Sequence, residues 1–320
     1  MLAILEERAF PLDELRLLAS GRSASLAMIR GADVPVRAVS AEAFAGVSLA
    51  LFATSAELSR EWAPVARAAG AAVVDNSSAF RMDPDVPLVV PEVNGRLLDA
   101  RPTLVANGNC VAIPLVMTLA PLAAMARLER VVVASYQSVS GAGLEALEEL
   151  DRGVRAGLES PPPPRRDGRP PFAFNVLPHI DRFDAQGWTG EERKIVNETR
   201  RMLDRPELVV IPTAVRVPVR VGHSAAVVAW FDRAVDLAVA RSCWAGFPGV
   251  RVVDDPAAEQ YPTPLDAAGR DDVLVGRARL EPTDARGLVY FLAADNLRKG
   301  AALNAVQIAE RLAGVSAAAR

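Results

Sequence analysis

Cysteine and histidine are scarce: the 320 residues hold two of each, Cys110 and Cys243, His179 and His223. No close His/Cys spacing exists among them, which argues against a structural zinc site. There is no signal-peptide pattern and no apolar run long enough to cross a bilayer, so a reducing, cytoplasmic setting is expected. An excess of one charge is missing as well. Lys and Arg are scattered and the formal net charge is -3, which leaves no nucleic-acid or anionic-membrane footprint. A small molecule is the expected partner.

What is present is enough apolar sequence, 51% hydrophobic against 23% charged, to bury the core of one large or two ordinary domains. Met1 to Arg8 reads as a helix that Pro11 breaks. Apolar runs over 15–19, 48–53, 71–74 and 103–106 read as buried strands. Between the second and third lies a helical stretch, 57–69, closed by Gly70. Alternating strand and helix predicts a parallel sheet with crossover helices.

From about Glu129 the runs lengthen and become β-rich: 130–139, 208–219, 224–231, 273–280 and 287–294. Most follow one another through turns, which predicts an antiparallel or mixed sheet in an α+β second domain beginning near Asn109. Prolines at 161–164 and 170–171 read as a surface loop. A last helix, 300–313, has the spacing to return to the first domain.

Cys110 follows Asn107-Gly108-Asn109 and precedes Val111 to Met125, a helical segment despite Pro114 and Pro121. A sulfur at a helix N-terminus meets the positive end of the dipole, which favours the nucleophilic thiolate, and free N–H groups there could hold an oxyanion. The competing reading is an inert buried cysteine. Ser135 to Gly143 ends an apolar strand in hydroxyls, an amide and glycines: Gln137 could orient a substrate carbonyl, and the Ser140-Gly141 backbone could contact a phosphate or a nicotinamide. Arg216 and His223 flank a turn between strands, one able to grip a carboxylate and the other to move protons near neutrality. Glu191 and Lys194 share a helix face and could hold an amine and a phosphate, or simply pair with each other. Arg81, after an apolar strand, is a candidate phosphate ligand.

Taken in order, Asp75 to Arg81, Val90 to Asn94, Asn109-Cys110, Tyr136 to Gly143, Ala173 to Asp181, Arg216 to Ser224 and Asp295 to Ala302 resemble the aspartate-semialdehyde dehydrogenases over nearly the whole chain. The resemblance implies an α/β protein with a Rossmann-type NADP-binding domain, 1–108 and 296–320, and an α+β catalytic and dimerisation domain, 109–295, built on a mixed, largely antiparallel sheet. It implies a homodimer that reduces L-aspartyl 4-phosphate to L-aspartate 4-semialdehyde, releasing phosphate, on the route to lysine, threonine and methionine. In that family pattern Cys110 forms the acyl-enzyme, His223 is the acid/base and Gln137 orients the reacting group. Asn109, Arg216 and Glu191 fall to the substrate, Arg81 and Lys194 to phosphate. Ser20, Arg22 and Ser23 fall to the NADP 2'-phosphate, and Ser140, Gly141 and Asn296 to the nicotinamide side. His179 is assigned to structure.

The pattern departs from the family at three places. An opening strand with its glycine-rich pyrophosphate turn is expected before the first helix, and Met1 aligns inside that helix, so the chain is expected to lack both. The loop Thr54-Ser55-Ala56 has no glycine pair, and Val111-Ala112 replaces small hydroxyl residues after Cys110. Two rivals share parts of this pattern. N-acetyl-glutamyl-phosphate reductase has the same thioester chemistry on a substrate without a free amine, and a silent paralogue would dimerise without turnover.

Overall fold

A computed structural model describes residues 1–21, 26–29, 31–160, 163, 165 and 168–315. They form two compact units, Met1–Gly108 with Ala301–Arg320, and Asn109–Gly300. The chain rejoins the first unit at Ala301 rather than at residue 296. The intervening residues are tied into the second unit, where Asp295 accepts the Gly269 N–H at 2.7 Å and Asn296 that of Gly222 at 3.0 Å.

In the first unit the helix Leu2–Glu7 comes first. Its strands are β1 (Leu17–Ala19), β2 (Leu26–Ile29), β3 (Ala32–Ala38), β4 (Leu49–Phe52), β5 (Ala72–Asp75), β6 (Leu88–Val89) and β7 (Leu104–Asn107). β4, β5, β7 and β6 lie side by side in that order, all parallel. Val73, Val74, Val105 and Ala106 are fully buried, as continuous apolar runs in a parallel sheet should be. The crossover helix Ala56–Ala68 begins where Ser55 Oγ accepts the Leu58 N–H, and it stops before Gly70, whose φ of 97° suits a residue without Cβ.

The purely parallel expectation fails at the front of this unit. β1, β3 and β2 make a separate mixed sheet, β1–β3 parallel and β2–β3 antiparallel. Asp33, Pro35 and Arg37 interrupt the apolar signal of β3, while Gly31, at φ 76°, permits the tight return from β2. The C-terminal helix Leu303–Leu312 shares one core with Ile4, Leu5, Val74 and Val105. Asn304 Nδ2 donates to the Val89 carbonyl and to Asn107 Oδ1, and Arg8 pairs with Glu310 at 2.7 Å.

The second unit is a six-stranded sheet, β8 (Leu128–Gln137), β9 (Val209–Arg216), β10 (His223–Phe231), β11 (Val250–Val252), β12 (Val273–Leu280) and β13 (Gly287–Ala294), in the order β11-β12-β13-β10-β8-β9. The three central pairings are antiparallel and the two outer ones parallel, the mixed sheet that turn-linked β runs predict. The helix Ala112–Leu119 is buried along its whole length. It is pinned through Thr118, whose hydroxyl bonds Tyr290 on β13 and whose carbonyl accepts the Trp244 indole N–H. The 170–171 prolines lie outside helix and strand, and Pro161, Pro162 and Pro164 fall outside the described residues.

Register then decides what meets what. Gln137 and Arg216 are paired at the carboxyl ends of β8 and β9, and Ser224, next to His223, pairs with Tyr136. His223 itself faces Ala294, just before Asp295 and Asn296. Residues far apart in sequence therefore share one end of one sheet.

Candidate active site

Cys110 is half-buried and not in a disulfide. It precedes the helix Ala112–Leu119 by one residue, Val111 being the N-cap. The expectation of free N–H groups there is corrected by Asn109. Its side-chain oxygen accepts from Val111 N and Ala112 N, its carbonyl accepts from Ile113 N, and Pro114 has no N–H. The first turn is thus capped from within, and the helix offers the sulfur its dipole but no oxyanion donors from those positions.

Behind Cys110 the backbone is held closely. A Cβ on Gly300 would lie 3.1 Å from the Cys110 carbonyl oxygen and 3.3 Å from its Cβ. Gly300 belongs to the π-helical turn Arg298–Ala302 that follows Asp295, a rare element often found at functional sites.

The helix Gly190–Met202 supplies the acidic wall. Thr189 and Glu192 form its capping box. Glu191, Lys194 and Glu198 lie on one face at i, i+3 and i+7. Glu191 is buried; its Oε1 accepts from Asn109 Nδ2 at 2.9 Å and from Gln137 Nε2 at 3.2 Å. Lys194 Nζ lies 3.5 Å from Glu191 Oε2 and 2.8 Å from Asp181 Oδ2. Its hydrogen bond to Asp181 holds that carboxyl below the usual carboxylate range. Of the two readings of the Glu191–Lys194 spacing, the ion pair is the one present, and Glu191 alone of the two also bonds Asn109.

Glu198, only 1% exposed, accepts the Asn109 N–H at 2.6 Å. Sequence reasoning missed it, although its seven-residue offset from Glu191 on one helix face was the available signal.

Arg216 is buried, and its Nη1 donates to the Ser138 carbonyl at 2.7 Å. Burial pulls its pKa down, while the negative charges of Cys110 and Glu191 push the other way. His223 is also buried: Ser138 donates its N–H to Nδ1 at 3.1 Å, and Ser138 Oγ lies 3.0 Å from the same nitrogen. Nε2 has no hydrogen-bond partner among the described residues. Ser138, which the sequence reading gave no role, thus holds both the arginine and the histidine.

Burial and then the Arg216 charge pull the His223 pKa down to about 3, against about 6.5 in an unfolded chain. Below the unfolded value the denatured state binds a proton that the native state refuses, so stability falls as the pH drops from about 6.5 toward 3. His223→Gln removes that term. The wild type is expected to lose about 2 kcal/mol relative to the variant between pH 7 and pH 5, read from urea unfolding at both values. Parallel losses in the two proteins would refute it.

Ser140 and Asn296 are buried and bonded to each other, Asn296 Nδ2 donating to Ser140 Oγ at 2.9 Å. Gly141 is exposed, and a Cβ placed on it would lie 3.2 Å from both Arg216 Nη1 and His223 Nε2. Its φ is not left-handed, so alanine fits the backbone but crowds two side chains that Ser138 holds in place. Gly141→Ala is expected to lower kcat/KM about a hundredfold with an unchanged melting temperature. Full activity would show that the space above Nε2 is not used.

The remaining candidates lie in the first unit or outside the description. Arg81 donates from Nε to the Asn107 carbonyl and from Nη2 to the Asn76 carbonyl, each at 2.8 Å. Ser20 is exposed just beyond the carboxyl end of β1. Arg22 and Ser23 lie outside the described residues. His179 is exposed and stacks on Phe183 with ring centroids 4.5 Å apart, a local contact between neighbours in sequence.

A parallel α/β unit joined to an α+β unit that carries a cysteine beside a buried cation and a buried imidazole is the build of the semialdehyde dehydrogenases as a class. Two family models of that class match: "Semialdehyde dehydrogenase, NAD binding domain" over residues 1–100 and "Semialdehyde dehydrogenase, dimerisation domain" over residues 119–299. Aspartate-semialdehyde dehydrogenase of Aquifex aeolicus is 45% identical over 97% of this chain and 93% of its own. That of Bacillus subtilis is 44% identical over 98% and 93%. A crystal structure of Vibrio cholerae aspartate semialdehyde dehydrogenase II complexed with ASA superposes with a TM-score of 0.93, at 40% identity over 98% of this chain and 94% of that one. The chain belongs to the aspartate-semialdehyde dehydrogenase family.

Proposed function

We propose that this protein reduces L-aspartyl 4-phosphate to L-aspartate 4-semialdehyde with NADPH, through a thioester on Cys110. The observation that carries the reading is the set of contacts that ties Asn109, next to Cys110, through Glu191 to Gln137, with Arg216 paired to Gln137 and Arg216 and His223 both held by Ser138. The Cys110 thiolate attacks the acyl phosphate carbon; the C–S bond forms and the C–O bond to phosphate breaks. Lys194 follows that charge, exchanging Asp181 for phosphate, and Arg81 is the second phosphate ligand. Arg216 grips the substrate carboxylate and Glu191 its amine.

A nicotinamide, when bound, supplies the hydride that brings the thioester to the aldehyde level. The residues present suit such a group: Ser20 offers an exposed hydroxyl at the carboxyl end of β1, and the Ser55-capped helix follows β4 at the corresponding end of the parallel sheet. Ser20, Arg22 and Ser23 give it the 2'-phosphate preference of NADP over NAD. His223 stands at the reacting oxygen with its ring proton, and collapse of the tetrahedral alkoxide returns the thiolate when the aldehyde leaves. The working assembly is a homodimer in the cytoplasm.

The buried Glu191 carboxylate favours a substrate with a free, positively charged amine over an N-acetylated one. Phosphate-dependent NADP reduction is assayed side by side with aspartate semialdehyde and N-acetyl-glutamate semialdehyde, and with NAD in place of NADP. Turnover of the first substrate with NADP is expected; preference for the acetylated one would overturn the reading. Alkylation of Cys110 no faster than that of Cys243 would point instead to a silent paralogue.

A further inference from the structure

Among the described residues the His223 ring is held neither by a carboxylate nor by one isolated partner. A chain of hydrogen bonds reaches it from Asn296. The Gly222 N–H donates to one end of the Asn296 side chain at 3.0 Å and so marks that end as oxygen. The other end, Nδ2, then donates to Ser140 Oγ at 2.9 Å. Ser140 Oγ lies 3.0 Å from Ser138 Oγ, and Ser138 Oγ lies 3.0 Å from His223 Nδ1. Both hydroxyls are also within reach of Asn296 Oδ1, at 3.1 and 3.2 Å. Each of these side chains is buried.

One donor in this cluster has no choice of direction. The backbone N–H of Ser138, 3.1 Å from Nδ1, can only donate, so Nδ1 must be the bare nitrogen of a neutral ring. The proton of neutral His223 then resides on Nε2, the buried atom without a partner among the described residues and the one 3.2 Å from where a Gly141 Cβ would begin. Arg216 Nη1 borders the same point at 3.2 Å and is itself oriented by the Ser138 carbonyl.

We propose that Ser138, aligned by Ser140 and Asn296, is a positioning residue that fixes His223 as the Nε2-protonated tautomer, so that the histidine enters the reaction as a hydrogen-bond donor. This inference rests on the function proposed above for its role in turnover. The oxygen of the substrate carbonyl becomes an anion when Cys110 adds to the carbon; Nε2–H donates to that oxygen, and no proton is taken from the sulfur by a ring whose lone pair faces Ser138. With the helix N–H groups committed to Asn109, the ring replaces them as the oxyanion donor. The two serines and Asn296 are thus tied to the tautomer.

The test uses the protein's scarcity of histidine. His179→Gln leaves His223 as the sole imidazole, and long-range proton–nitrogen correlation of the ¹⁵N-labelled chain at pH 7 reads its tautomer directly. A protonated Nε2 with a bare, hydrogen-bonded Nδ1 is expected; a protonated Nδ1 would overturn the proposal without any further variant. Ser138→Ala keeps the backbone donor and loses the hydroxyl. It is expected to shift the Nδ1 resonance toward that of an unbonded nitrogen and to lower kcat about tenfold, with KM within about twofold. Ser138→Thr, which restores the hydroxyl, should recover both readouts. An unmoved resonance with unmoved kcat in Ser138→Ala would sink the positioning role. The Nε2–H tautomer in a chain that does not turn over aspartate semialdehyde would uphold the hydrogen-bond chain and overturn the proposed function instead.

Discussion

Cys110→Ala is expected to abolish phosphate-dependent NADP reduction by aspartate semialdehyde, a fall in kcat of at least about 10⁴. The reason is chemical. Without sulfur no thioester forms, and the other groups have no covalent intermediate to act on: Glu191, Gln137 and Asn109 remain bonded to one another, and Arg216 remains on Ser138. The loss therefore appears in turnover and not in folding, so the melting curve should be unchanged. Cys243, half-buried on the helix Leu237–Ala245, serves as the control: Cys243→Ser should retain full activity. Substantial turnover by Cys110→Ala, or equal losses in both variants, would refute a thioester on Cys110.

Arg216→Lys should be nearly as damaging despite keeping the charge. The guanidinium gives one nitrogen to the Ser138 carbonyl and is planar, so its remaining N–H groups have a set direction for a carboxylate. A lysine offers one compact cation that cannot serve the carbonyl and the substrate together. It also weakens the field at Cys110, because a flexible ammonium need not sit where the guanidinium does. We expect KM for aspartate semialdehyde to rise about a hundredfold and kcat to fall about tenfold, close to 4 kcal/mol in kcat/KM. An unchanged KM would place the substrate carboxylate elsewhere.

Much of the architecture was legible because its signals are local. β8, β10, β12 and β13 are long apolar or alternating runs, and the crossover helix carries its own cap and its own terminating glycine. The hairpin of β2 and β3 was not legible, since Pro35, Asp33 and Arg37 dilute the pattern and its stability comes from pairing rather than composition. The two-residue β6 is too short to carry a period. The oxyanion expectation at the helix N-terminus erred for an identifiable reason. Asn109 and Pro114 are both visible in the sequence, but only coordinates show that Asn109 turns its side chain back onto the N–H groups following it.

The sequence by itself determined the chemistry on offer: a cysteine at a strand–helix junction, an arginine and a histidine around one turn, an acid and a base on one helix face. Those are properties of residue type and short-range spacing, which the chain carries unfolded. Only the tertiary structure decided which of them act together and in what state. The parallel register of β8 and β9 sets Gln137 beside Arg216, and the antiparallel return of β10 brings His223 to the same end. Burial takes the water from the imidazole and the guanidinium, and Ser138 then dictates which nitrogen of the ring holds the proton. Register and desolvation arise from contacts between distant segments, so no local pattern encodes them.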